Sequence, residues 1–425
     1  KMNPSIFLNS LFEVAVAKAQ PKQCIPQFLT ETRVTGRRVV FGAGKASAAM
    51  AQVVEQHLTG ALEGLIVTRY GHAVPCQQIE IVEAGHPVPD NNGMEASSRM
   101  LKTAEGLTQH DLALCLISGG GSSLLSLPAS GLSLEDKQEI TSVLLKCGAT
   151  IHEINCVRKH LSAIKGGRLA AACAPAKLVT LAISDVVGDD LTVIASGPTV
   201  ADPTTFADAL AVLKKYNISK PVSVQEHLEK AADETPKPED FRLKNVENHL
   251  IATPQQSLEA AAQAVREAGI TPVILGDSIE GEAREAAKEH AAIARQIQEY
   301  GHPVSAPAVL LSGGETSVTV RGSGSGGPNT EFILSLLLEL QGQAGIWAIA
   351  CDTDGIDGTE ENAGAVIAPE SFERSENLGL NPSSFLANND SYNFFSVMGN
   401  LISPGPTLTN VNDFRAILVM PVEST

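Results

Sequence analysis

Charged residues stand where apolar runs of this sequence break into glycine. Val39-Val40-Phe41 runs into Gly42-Ala43-Gly44-Lys45-Ala46-Ser47, a turn into a helix whose N–H groups and positive dipole end suit a phosphate. Lys45 is its clamp, or else a solvated lysine at a helix start. Leu112 to Ile117 breaks into Ser118-Gly119-Gly120-Gly121-Ser122-Ser123, and Ala308 to Leu311 into Ser312-Gly313-Gly314-Glu315, both loops of small residues that leave backbone N–H groups open to an anion. The two echo each other and suggest two halves facing one ligand. Arg321 then precedes Gly322, Gly324, Gly326 and Gly327, so a guanidinium able to grip phosphate or carboxylate stands between glycine turns. The alternative is a hairpin whose glycines only make tight turns.

Acids follow the same rule. Lys177 to Ile183 is followed by Ser184-Asp185-Val186-Val187-Gly188-Asp189, and carboxylates at a strand end are what Mg²⁺ needs beside phosphate, capping being their structural use. Ile346 to Ala350 is followed by Asp352, Asp354 and Asp357, a second metal or substrate loop whose spacing misses an EF-hand by one residue. Arg158 and Lys159 are read as cations at a helix start, opposed by the dipole and therefore suited to an anion, or simply exposed. Neither a Walker A loop nor the full dinucleotide fingerprint is present, since Val39 and Ser47 occupy glycine positions, and no G-x-S-x-G elbow occurs. Lysine, arginine, glycine loops and strand-end aspartates together match phosphoryl transfer, which rests on positioning and charge neutralisation.

The elements that would carry these loops alternate. Short apolar strands and amphipathic helices succeed one another from Arg38 onward, which indicates an α/β class: an α/β/α Rossmann-like N-terminal domain and a smaller α/β C-terminal domain. A Pro-, Lys- and Glu-rich stretch from Ile218 to Glu247 sets the boundary at residues 1–240 and 241–425, with the last strand a candidate to return to the first domain. The chain of 425 residues carries a formal charge of -17, which argues against nucleic-acid partners. Seven cysteines without a C-x-x-C pair, no apolar run of membrane length and no signal pattern give the expectation of a cytoplasmic protein without a membrane partner.

Taken jointly, Phe41 to Ser47, Ala84-Gly85-His86-Pro87-Val88-Pro89-Asp90, Ser118 to Ser123, Val157 to Leu169, Ser184 to Thr199, Ser312 to Ser317, Asp352 to Gly364, Asn389 to Phe395 and Pro406 to Asp413 make the chain resemble the glycerate 2-kinase family with a C-terminal MOFRL domain. The resemblance implies ATP-dependent phosphorylation of D-glycerate at its 2-hydroxyl, a Mg²⁺ requirement, and a cleft between two domains. It carries the lysine of the GAGKA turn onto Lys45, the acid of the SDV-x-GD segment onto Asp185 and the arginine before the glycine run onto Arg321. Ser325 and Pro328 depart from the family's basic residues in that run. A nicotinamide-dependent hydroxypyruvate reductase and a non-catalytic metabolite-binding relative are the other readings.

Overall fold

Between residues 38 and 252 the apolar runs become six strands: β1 (Arg38–Ala43), β2 (Glu63–Arg69), β3 (Glu80–Ala84), β4 (Leu112–Ile117), β5 (Lys177–Ile183) and β6 (Val246–Ala252). They form one sheet in the order β3-β2-β1-β4-β5-β6, with β1 parallel to β2 and β4, β2 to β3, and β4 to β5. This is the order of a doubly wound α/β sheet, in which ligands gather at the carboxyl ends of the strands. Successive residues of β1 and β4 are all buried beyond Arg38, so both faces of the sheet are covered, as continuous apolar runs require. The computed structural model describes residues 1–29 and 34–422.

The chain divides into a unit of residues 21–251 and a unit of residues 1–20 with 252–425. The second holds β7 (Thr271–Ile279), β8 (Ala308–Gly314), β9 (Ile346–Asp352), β10 (Gly364–Ile367), β11 (Leu401–Ile402) and β12 (Asp413–Val419), in the order β11-β10-β9-β12-β8-β7. Only β7 and β8 run parallel among these pairs. The last strand lies mid-sheet between β8 and β9, every residue of it buried, and does not return to the first unit.

Two further differences from the expected division have physical causes. The helix Pro4–Lys18 buries Leu8, Leu11, Phe12 and Ala15 against Leu258, Ile349 and Phe414, so it belongs with the second sheet. The stretch after Ile218 contains the helix Val222–Lys230, whose Val224 and Leu228 complete an apolar cluster of the first unit. One helix also begins earlier than its sequence suggests. The helix Ile151–His160 opens on a capping box between Thr150 and Glu153, which puts Arg158 and Lys159 in its last turn, where the dipole favours cations.

Candidate active site

Loops at the carboxyl end of the first sheet are hooked to one another. The Lys45 N–H donates to the Gly119 carbonyl at 2.8 Å, the Ala46 N–H to Ser118 Oγ at 3.0 Å, and Ser47 Oγ to the Leu116 carbonyl at 3.0 Å. The Gly44 N–H donates to Val67 O and the Ser47 N–H to Gly44 O. These donors of the turn are therefore satisfied within the protein, which corrects the expectation that they cradle a phosphate. Gly42 and Gly44 serve close approach instead: a Cβ on Gly42 would stand 2.1 Å from the Leu116 carbonyl, and one on Gly44, whose φ is +145°, 2.0 Å from Ser118 Oγ. What the turn presents is the Lys45 side chain.

The stem of that side chain comes close to the next loop. A Cβ at Gly120 would stand 3.4 Å from Lys45 Cγ and 2.9 Å from His86 Cδ2, and one at Gly121 2.6 Å from Ala195 Cβ. Segments following β1, β3, β4 and β5 thus meet around Gly120 and Gly121. Ser122 Oγ is 3.1 Å from Ser196 Oγ, which in turn donates to Asn155 Oδ1 at 3.0 Å. Ala195 and Ser196 both have positive φ, 53° and 60°, a strain typical of functional loops.

Beside Gly120 opens a cavity of about 670 Å³ that Lys137, Arg158 and Lys165 line together with His86, Ser122 and Ser123. Burial, then Arg158, pushes Lys137 down to about 7; burial, then Lys137 and Arg158, pushes Lys165 well below its ordinary value; burial lowers Arg158. Lys165 Nζ donates to the Ser122 carbonyl. Lys159 does not line this cavity; it is buried with Nζ 3.9 Å from Asp202 Oδ1, a structural pair in place of the expected substrate contact. Lys137 and Lys165 were missed from sequence, although Lys137 shares the buried stripe of its helix with Leu134, Ile140 and Leu144, and a lysine in an apolar stripe is a legible signal.

Asp185 and Asp189 are partly buried in the turn after β5, where Asp189 accepts from Ser184 Oγ at 2.6 Å and has φ 52°. Among the described residues no group of three or more His, Cys, Asp or Glu side chains could hold a metal ion. Mg²⁺ needs only one or two protein carboxylates when phosphate oxygens and water complete its shell, so the donor chemistry of Asp185 and Asp189 fits it.

In the second unit Ser312, Gly313 and Gly314 are the end of β8, not a loop. Gly314 passes so close to β7 that a Cβ would stand 2.2 Å from the Ile279 carbonyl, and the Glu315 N–H donates to that carbonyl at 3.1 Å. The expected anion loop at Gly313, Gly314 and Glu315 is corrected accordingly, and its echo of Ser118 to Ser123 ends in a different structure. Ser312 Oγ instead lies 2.8 Å from His290 Nε2, whose Nδ1 donates to Ala286 O.

Arg321 is exposed, and its glycine run packs on residues 388–391. Asn389 Oδ1 accepts from the Arg321 and Gly322 N–H groups at 2.7 and 2.9 Å, while its Nδ2 donates to Glu331 Oε1 at 2.9 Å. A Cβ on Gly322 would clash with Asn388 and one on Gly324 with Asp390, so these glycines answer to a neighbouring backbone. Asp357, expected at a substrate, is fully buried and caps the helix Pro328–Leu340, accepting from the N–H groups of Asn329 and Thr330 at 2.9 Å. Burial pushes it up to about 6. Asp354 is also buried and turns its own loop, accepting from the Ile356 N–H at 2.8 Å.

The family described as domain of unknown function DUF4147 matches residues 7–229, and the MOFRL family matches residues 308–413. An Agrobacterium vitis protein provisionally named a hydroxypyruvate reductase is 53% identical over 415 residues, 97% of this chain and 94% of its own length. The D-glycerate 2-kinase of Thermotoga maritima is 44% identical over 386 residues, 90% of this chain and 91% of that one. A crystal structure of a glycerate kinase from T. maritima matches with TM-score 0.90 and 40% identity, over 98% of this chain and 99% of the other.

Proposed function

The chain belongs to the glycerate kinase family, with a DUF4147 region and a MOFRL region in one polypeptide, and on that premise we propose that it transfers the γ-phosphoryl group of ATP to the 2-hydroxyl of D-glycerate. The 2-oxygen of glycerate bonds to the γ-phosphorus as the bond from that phosphorus to the bridging oxygen breaks and the hydroxyl proton leaves to solvent, giving ADP, 2-phosphoglycerate and a proton. The observation that most supports this reading is that Lys45 Cγ approaches Gly120, which itself borders a cavity lined by cations, since phosphoryl transfer is helped chiefly by fixed positive charge. Lys45 neutralises charge on the phosphates and the Ser118 to Ser123 segment lies along them, while Arg321, exposed in its own unit, keeps the phosphate-directed role that the family resemblance gives it. Asp185, with Asp189, would hold Mg²⁺, which would supply positive charge beside the phosphates.

The test is the product. NMR of a reaction containing D-glycerate and Mg-ATP should show 2-phosphoglycerate and ADP; 3-phosphoglycerate would overturn the assignment of the acceptor hydroxyl. The name carried by the A. vitis relative favours a second reading, reduction of hydroxypyruvate by a nicotinamide cofactor. Against it, Gly44, where a dinucleotide fold leaves room for a pyrophosphate, has that room filled by Ser118. Oxidation of NADH by hydroxypyruvate, with no ADP formed from glycerate and ATP, would establish the reductase.

A further inference from the structure

The cavity beside Gly120 gathers positive charge that nothing in its wall balances. Lys137, Lys146, Arg158 and Lys165 line it and no aspartate or glutamate does, in a chain with 48 acidic against 31 basic residues. Lys137 is 7% exposed and its Nζ is buried without a hydrogen-bond partner. The influences that lower Lys137 and Lys165 are burial and neighbouring cations, with no carboxylate opposing them. An ammonium taken out of water without a counter-charge is costly and is driven to give up its proton, whereas an anion bound beside it would restore the charged form.

We propose that this cavity binds the carboxylate of the hydroxy-acid substrate, with Lys137, Arg158 and Lys165 as its counter-charges. The inference rests on the kinase reading and deepens it by assigning the group that separates glycerate from an uncharged polyol. Its position favours the acceptor over the nucleotide. Gly120 lines the cavity and also lies beside Lys45 Cγ, with Ser122 and Ser123 following it in the cavity wall, so an acid anchored by its carboxylate would hold its 2-hydroxyl toward the lysine assigned to the phosphoryl group. The guanidinium of Arg158 matches a carboxylate with two parallel donors, and the exposed Val88 and Leu145 among the lining residues leave the cavity open to solvent.

The decisive variant is Lys137→Met, which keeps the stem and removes the charge. Calorimetric titration with D-glycerate, inorganic phosphate and ADP, each without the others, should show glycerate affinity falling about tenfold or more while ADP binding stays within about twofold. Steady-state KM should follow, rising for glycerate and holding for ATP. Glycerate binding unchanged in Lys137→Met, or a loss confined to ADP or phosphate, would overturn the proposal. If Lys137→Met does not fold by circular dichroism, Arg158→Gln, at a partly exposed position, carries the same test with the same outcomes. Failure of the kinase reading would appear separately, as absence of ADP formation by the unaltered protein, while the difference in glycerate binding still decides the cavity.

Discussion

Arg321 is exposed, so removing its side chain subtracts a charge without opening the core. Arg321→Ala should lose about a hundredfold in kcat, as expected for one donor aimed at transition-state charge, with an unchanged melting temperature. Turnover within a few-fold of the parent would remove Arg321 from the mechanism. His290 makes the opposite case, a buried group whose effect is on stability. Burial, then Arg415, pushes its imidazole down to about 4 from an ordinary 6.5, so the unfolded chain takes up a proton at a pH where the folded one does not. The stability that follows is intact above pH 6.5 and is lost as pH falls toward 4, an amount of about 3 kcal/mol. Urea unfolding at stepped pH should show this decline, and His290→Gln should flatten it; an equal decline in both proteins would assign the acid sensitivity elsewhere. Lys137 was legible in principle as a charge in an apolar stripe, whereas Asp357 was not, because a capping carboxylate and a ligand-binding one have the same letter and the same glycine neighbours.

Elements were legible where period and punctuation agreed. The strands Leu112–Ile117 and Lys177–Ile183 stand where the sequence places them. The glycine run after Arg321 misled for a definite reason: glycine permits close approach, and the sequence does not say whether a phosphate or another stretch of backbone approaches. Here it is residues 388–391, and Asn389 is the clamp, 4% exposed and itself in the left-handed region with φ 54°, which asparagine tolerates. Asn389→Ala would release the Arg321 and Gly322 N–H groups together. We expect kcat to fall by roughly tenfold to a hundredfold through misplacement of Arg321, and the further change Arg321→Ala to add little in that background. Full additivity of the two losses in kcat would show that Asn389 supports the fold and not the arginine.

At the scale of the molecule, alternating strands and helices announced an α/β chain, but not which sheet each helix joins, since an amphipathic face fits any apolar layer. The helix Pro4–Lys18 is separated by more than two hundred residues from the sheet it covers. Its Phe12 lies 6.2 Å from Phe414 between ring centroids, Ser257 Oγ donates to the Ala15 carbonyl at 2.8 Å, and Thr409 Oγ1 donates to the Ala19 carbonyl at 2.7 Å. Truncating Phe12 to alanine should therefore cost about 3 to 5 kcal/mol, the usual penalty for a buried phenylalanine, and the cost should fall on one unit. Hydrogen exchange locates it, because local opening follows the contacts that are lost. Phe12→Ala should speed exchange in β8, β9 and β12 while β1, β4 and β5 keep their protection; faster exchange confined to the first sheet would mean that this helix stabilises the unit of residues 21–251 instead.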